Sequence, residues 1–279
     1  MADGTGPGRV TPSGLALAGL IFILIVASLW LFIAKPYWFT PLASTHGADV
    51  DFIFNAVLWV TGIAFVVVQG MLGYFSARYG SEGGERAAYW HDNPKAEAIL
   101  LIITALILTV LVFMGQRAWA SIYFTDVPEN AMTIQVTSEQ FAWNFHYPGP
   151  DGAFGRTRID LITPTNTIGL DRTDPAARDD LLSINIMNAP VDRPVRVRLR
   201  SKDVIHSFFL PNLRVKQDAV PGMGIEIWFT PTVAGDYEIA CAELCGLGHY
   251  RMRGFLTIDG SQGDFDRWLQ EQTALQAGD

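Results

Sequence analysis

Three long apolar runs fill the chain before residue 120, and short alternating stretches follow after residue 130. The first run is Gly14 to Ala34. The second is Phe52 to Phe75, interrupted by Asn55 and Gln69. The third is Ala98 to Gly115, with an aromatic flank through Trp119 to Tyr123. A membrane-spanning helix needs about 20 mostly apolar residues. The pattern therefore predicts spanning helices over 14–34, 52–75 and 97–120. Trp38, Trp90 and Trp119 stand where a membrane belt places aromatic rings.

The first run competes with a cleaved signal sequence. Only Arg9 supplies a base ahead of it, and its apolar stretch outruns a usual h-region, which favours a retained anchor behind a cytoplasmic tail of 1–13. Basic residues set the orientation. The loop after the first run carries Lys35, and the loop after the second carries Arg78, Arg86 and Lys95. The second loop is thus expected inside, the amino terminus inside, and everything after Tyr123 outside.

After Asn130 the period changes to two. "TIQVTS", "LLSINIMN", "VRVRLRS", "GIEIWFTP", "DYEIAC" and "GFLTIDG" alternate or run β-branched, with turn residues between most of them. This predicts a β-sandwich or barrel over 124–262. The fold class is a membrane-anchored α part followed by an all-β domain. Residues 148–180, rich in Pro, Gly, Asp and Thr, read as a long inserted loop. In 263–279, Phe265, Trp268, Leu269 and Leu275 lie near helical spacing and predict a short amphipathic helix.

Composition agrees with a membrane assignment: 49% hydrophobic and 17% charged, against a usual charged share of about 25%. Residues 124–279 hold 14 Lys and Arg against 21 Asp and Glu, a net of −7. An acidic outer domain argues against nucleic acid as a partner.

Both cysteines of the chain fall in "CAELCGLGHYRM", residues 241–252. Two cysteines outside the cytoplasm suggest a disulfide. Their neighbours suggest more. Cys245, His249 and Met252 have the Cys-x3-His-x2-Met spacing of a loop that can hold copper, with His206 of "DVIHSFFLPNL" as a second imidazole. Cys241 is one thiolate too many for a single blue copper. Two thiolates can bridge two coppers, with His206 on one, His249 on the other, and Met252 and the Glu243 carbonyl as weak ligands. Zinc accepts Cys2His2, but it leaves Met252 without a role. Copper so held suits one-electron transfer, not substrate chemistry.

The string 241–252 resembles the dinuclear copper (CuA) loop of cytochrome c oxidase subunit II. Residues 203–223, "DVIHSFFLPNLRVKQDAVPGM", are similar to the segment carrying that family's first histidine ligand, and "HDNPKAE", ending in Glu97, extends the likeness to the helices. The first span and the 148–180 loop look additional. The resemblance implies a cupredoxin-like Greek-key sandwich. It implies copper on His206, Cys241, Glu243 (main-chain oxygen), Cys245, His249 and Met252, and a magnesium or manganese ion shared with subunit I through the Glu243 carboxylate. It implies Glu97 at a proton inlet, and Asn55 and Gln69 packing against subunit I. The implied role is to take single electrons from a c-type cytochrome and pass them to haem in subunit I, where haems and a further copper (CuB) reduce oxygen to water with proton translocation. The implied location is a bacterial inner membrane, with the copper domain periplasmic.

The segment "EQFAWNFHYPG" departs from the family's Gln-Trp-Tyr-Trp electron inlet. Phe141 takes the first tryptophan's place and Trp143 the second's. His146 and Lys202 stand where acids would dock a basic cytochrome. A membrane-attached or complex-bound cytochrome is therefore the expected donor. No Cys-x-x-Cys-His is present, so the chain carries no c haem of its own. The rival readings are the same copper pair in another respiratory reductase, such as a nitric oxide reductase; a copper carrier, which would not need Glu97 or Glu243; and a quinol-oxidase subunit, which would lack copper ligands.

Overall fold

The computed structural model describes residues 10–34, 39–79 and 92–278. Trp38, Trp90, Lys35, Arg86 and Arg9 lie outside them. The chain divides into two compact units. One comprises 1–39 and 51–117, and the other comprises 40–50 and 118–279.

The helices are α1 (Pro12–Ile33), α2 (Gly47–Arg78) and α3 (Pro94–Tyr123), each long and apolar enough to cross a membrane. Their ends follow local chemistry. Thr11 Oγ1 accepts from Gly14 N at 3.1 Å ahead of Pro12, and Asn93 Oδ1 accepts from Ala96 N at 3.1 Å ahead of the first turn of α3. Small residues bring α1 and α2 together. A Cβ on Gly14 would lie 2.4 Å from Ser76 O, and Gly73 faces Ile21. Such close backbone approach is how helices associate where lipid removes the hydrophobic drive. Within α2, Asn55 Nδ2 donates to Asp51 O at 2.7 Å.

The second unit is built from ten strands. They are β1 (Met132–Glu139), β2 (Ala142–Tyr147), β3 (Leu181–Ile184), β4 (Ile186–Pro190) and β5 (Val195–Ser201). Then come β6 (His206–Leu210), β7 (Val215–Ala219), β8 (Ile225–Phe229), β9 (Gly235–Cys241) and β10 (Arg253–Asp259). They form two five-stranded sheets, ordered β3-β2-β1-β5-β8 and β4-β10-β9-β6-β7. β1 pairs with β5 and β4 with β10 in parallel; the other pairings are antiparallel. Alternation in β1 and β5 buries Ile134, Val136, Val197 and Leu199. They meet Phe208, Leu210, Ile239 and Leu256 in one core. Cys241, Cys245 and Met252 belong to the same core, so the soft donors are continuous with the packed interior.

Helix α4 (Gln262–Gly278) closes one end. Phe265 and Trp268 pack on Tyr147, with ring centroids at 6.2 and 5.4 Å. Leu275, expected on the same face, is 65% exposed. The Gln276 amide bonds both Leu182 N and Leu182 O, so it closes the free edge of β3.

The inserted segment 148–180 is not featureless. It holds two short 3-10 turns, Ile159–Leu161 and Pro175–Ala177, and a small cluster of Ile168, Leu170 and Ala177 with Leu182. Gly169 has φ +67, and a Cβ there would lie 1.9 Å from Arg158 O, so only glycine fits this turn. Asp180 gathers the segment by accepting from Gly155 N at 2.8 Å and Gly149 N at 3.2 Å, and its Oδ2 reaches His146 of β2.

The sandwich also uses residues that precede α2. Ala43 N donates to Asn212 O at 2.8 Å and Thr232 N to Ala43 O at 2.9 Å. Thr45 N donates to Thr230 O at 3.2 Å, and Ser44 Oγ to Leu213 O at 2.6 Å. His46 stacks edge-on against Trp228, with ring centroids 4.3 Å apart. This strap, 40–47, extends a domain that the sequence pattern begins only at 124.

Candidate metal centre

The donors gather at neighbouring strand ends. His206 opens β6, Cys241 closes β9, and Met252 stands just before β10. β6 and β9 pair through Phe208 and Cys241, which brings His206 beside the first thiol. The loop 242–252 folds back by Ala242 N donating to Ser207 O at 3.0 Å and Cys241 N to Met252 O at 3.2 Å. A 3-10 turn over His249–Arg251 then returns the chain to β10.

Six donor groups converge there. Cys241 Sγ lies 3.7 Å from Cys245 Sγ, 3.2 Å from Glu243 O and 3.9 Å from His206 Nδ1. Cys245 Sγ lies 3.7 Å from His249 Nδ1 and 3.6 Å from Met252 Sδ, and Met252 Sδ lies 3.2 Å from His206 Nδ1. Both cysteines are free, and their separation is well beyond the roughly 2.05 Å of a disulfide. Two thiol protons cannot serve so many lone pairs, two of which, on the Glu243 carbonyl and the Met252 thioether, only accept. Soft cations would give these lone pairs the partners that two thiol protons cannot. Thiolate, imidazole and thioether are the donors that select copper. The donor atoms of His206, Cys241 and Cys245 lie within 4.8 Å of one another, and all three residues are buried.

Electrostatics already favour one thiolate. Burial opposes ionisation of Cys241, but its hydrogen bond with His206 and the backbone bonds at Ser207 and Glu243 bring its pKa down to about 6. Burial and the neighbouring Cys241 push Cys245 up to about 11. A bound cation would remove that opposition between the thiols.

A family model described as "Cytochrome C oxidase subunit II, periplasmic domain" matches residues 132–257. The chain is 34% identical over 259 residues to an "Alternative cytochrome c oxidase subunit 2" of Bradyrhizobium diazoefficiens, covering 92% of each chain. It is 30% identical over 265 residues to a "Probable cytochrome c oxidase subunit 2" of Rickettsia felis, covering 92% of this chain and 79% of that one. The chain belongs to the cytochrome c oxidase subunit II family. A crystal structure of the periplasmic domain of subunit II of a Bradyrhizobium japonicum cytochrome oxidase aligns with 54% of this chain and 99% of that one, at 30% identity and a TM-score of 0.40. The family is the copper-binding subunit of the terminal oxidase, and the His, Cys, Cys cluster of this member can bind metal.

Around the donors lies a second layer of contacts. Asp203 Oδ1 meets His206 Nε2 at 2.8 Å, which leaves Nδ1 turned to the sulfurs. Asp203 also accepts from Gln140 N and Val204 N, both at 2.7 Å. Burial alone would raise the Asp203 pKa; the His206 bond and these amides lower it overall. The Gln140 side chain donates to Cys245 O at 2.5 Å and so pins the metal loop to the β1–β2 turn. Neither Asp203 nor Gln140 was singled out as a site residue in the sequence. The Asp-x-x-His spacing was the available signal for the first; nothing local marks the second.

Phe141 lies against the loop glycines. A Cβ on Gly248 would come within 2.4 Å of Phe141 Cδ2, and one on Gly246 within 3.2 Å of its Cζ. Trp143 is 0% exposed, with its ring 6.2 Å from that of His206 and 5.4 Å from that of Phe208. Glu97 occupies the first turn of α3.

One expectation for the docking face changes. His146 is 2% exposed and lies 2.5 Å from Asp180 Oδ2, so it anchors the inserted segment and does not border a docking patch. Burial of a polar ring demands such a partner. Lys202 pairs with Glu139 and donates to Thr167 O at 2.8 Å. It therefore cancels a neighbouring acid.

Proposed function

We propose that this subunit is the electron inlet of a respiratory haem–copper oxidase. It holds two copper ions through His206, Cys241, the Glu243 carbonyl, Cys245, His249 and Met252. Copper so bound supplies a one-electron relay. The subunit accepts single electrons from a c-type cytochrome and passes them to haem in subunit I, where oxygen is reduced to water with proton translocation. The convergence of the two thiols on two imidazole Nδ1 atoms and a thioether carries this reading.

The chain's own residues act by holding still. Asp203 fixes the tautomer and aim of His206. Gln140 holds the loop at Cys245. The packed core behind Cys241, Cys245 and Met252 keeps water out and limits reorganisation. The Glu243 backbone oxygen serves copper, and its carboxylate is free to share a magnesium or manganese ion with subunit I, because hard oxygen ligands suit those ions. Glu97 is assigned to a proton inlet on the cytoplasmic side. The amino terminus lies inside, three helices cross a bacterial inner membrane, and the sandwich is periplasmic. Asn55 and Gln69 pack toward subunit I.

The test is the metal content and EPR spectrum of the full chain in its assembled oxidase, with subunit I variants used to subtract CuB. Two coppers on this chain, sharing one unpaired electron in the oxidised centre, are expected. One copper, or zinc alone, would overturn the reading.

A further inference from the structure

The apex of the metal loop carries an apolar side chain in water. Leu247 is 97% exposed, two residues from each of Cys245 and His249. It is presented there by its neighbours. Gly246 has φ +135, and Gly246 and Gly248 lie on the Phe141 ring, so close that a side chain at Gly248 would strike it. Phe141 is itself held in the packed core at its partly exposed margin. A leucine on so braced a support loses little freedom when it is covered, which is what an interface anchor requires.

Glu243, in the same loop, is assigned to an ion shared with subunit I, and two further acids of the surrounding contacts are engaged within the domain. Glu139 is paired with Lys202. Asp203 is taken by His206, Gln140 N and Val204 N. Little uncompensated negative charge is left there to attract a lysine-rich partner, although the domain as a whole is acidic.

We propose that Leu247, braced on Phe141, is the anchor onto which an electron-donor protein docks, and that this donor surrounds its redox centre with uncharged, apolar side chains. The inference rests on the copper reading above and names the chemistry of its partner. Docking of this kind depends on desolvation of a small apolar centre, so its rate varies little with ionic strength.

The experiment is rapid-mixing reduction of the assembled oxidase by two soluble c-type cytochromes, one with an apolar uncharged haem rim and one ringed by lysines. With the apolar-rim donor, the unsubstituted enzyme should keep its second-order rate within about twofold across a salt range that screens surface charges. Leu247→Ser should lower that rate by about tenfold or more, while Leu247→Met keeps it. Reduction by a small-molecule reductant and the copper absorption should stay unchanged in both variants. A steep fall with salt, faster reaction with the lysine-ringed donor, or an unchanged rate in Leu247→Ser, as when another subunit covers the apex, would overturn the proposal. Absence of the copper absorption in the unsubstituted enzyme would instead overturn the reading beneath it, and this inference with it.

Discussion

Asp203 holds the far nitrogen of His206 at 2.8 Å, so the near nitrogen faces Met252 Sδ at 3.2 Å. A carboxylate thus determines which atom of a buried imidazole is offered to a metal. Removing such a partner typically costs 10- to 100-fold in metal affinity, as an order of magnitude. Asp203→Ala should lower copper affinity by roughly that factor, and Asp203→Asn by less, because its amide oxygen can still accept from Nε2. Competition against a chelator of known affinity measures both. An Asp203→Ala protein that binds copper as tightly as the parent would refute the role.

Gly248 tests the brace under the loop. Its missing side chain leaves room for Phe141, since a Cβ would lie 2.4 Å from Cδ2 and 2.7 Å from Cε2. Gly248→Ala should destabilise the domain by about 1–3 kcal/mol through overpacking. Adding Phe141→Ala should recover part of that loss, because residues in contact are not additive. Thermal unfolding of the four proteins closes the cycle. Strict additivity would show that the two positions do not meet.

The strap makes a prediction about stability far from the metal. Ser44 is buried, donates to Leu213 O at 2.6 Å and accepts from Gly47 N at 3.2 Å. Ser44→Ala leaves both partners unsatisfied and should cost about 1–3 kcal/mol. Differential scanning calorimetry should register this as a lower Tm, by about 2–4 °C per kcal/mol for a domain of this size. An unchanged Tm would mean that the strap is dispensable.

The inserted segment should respond to acid. Asp171 is held at a pKa of about 2 by hydrogen bonds from Thr173 and Arg156. A folded value below the unfolded 3.8 gives stability that is present above that value and lost as pH falls through about 2. Thr173→Val should flatten the loss of hydrogen-exchange protection in 156–174 as pH falls from about 4 to about 2. If parent and variant lose protection in parallel, Asp171 does not control it.

What could be read from the chain, and what could not, follows from the range of each interaction. The spans and strands are periodic, so local pattern predicts them. Five of the six donor groups lie in twelve consecutive residues, and spacing alone brings them to notice. His206 was found because it begins an apolar strand. Residues 40–47 carry no period, and several of their contacts are backbone hydrogen bonds to residues about 170–190 positions away, which no side-chain pattern encodes. The role of His146 is hidden in the sequence for a related reason. Its partner Asp180 lies at the far end of an insertion, so a buried pair read as a surface substitution.

The strap also sets an order of assembly. Residues 40–47 leave the ribosome before either of the next two helices and before every strand they join. Their partners Asn212, Leu213 and Thr230 emerge well over a hundred residues later, and the metal loop emerges after those. Synthesis runs from the amino terminus. The first piece of the sandwich to be made must therefore wait until residue 232 for its last partner, so the strap can close only when eight of the ten strands have been synthesised.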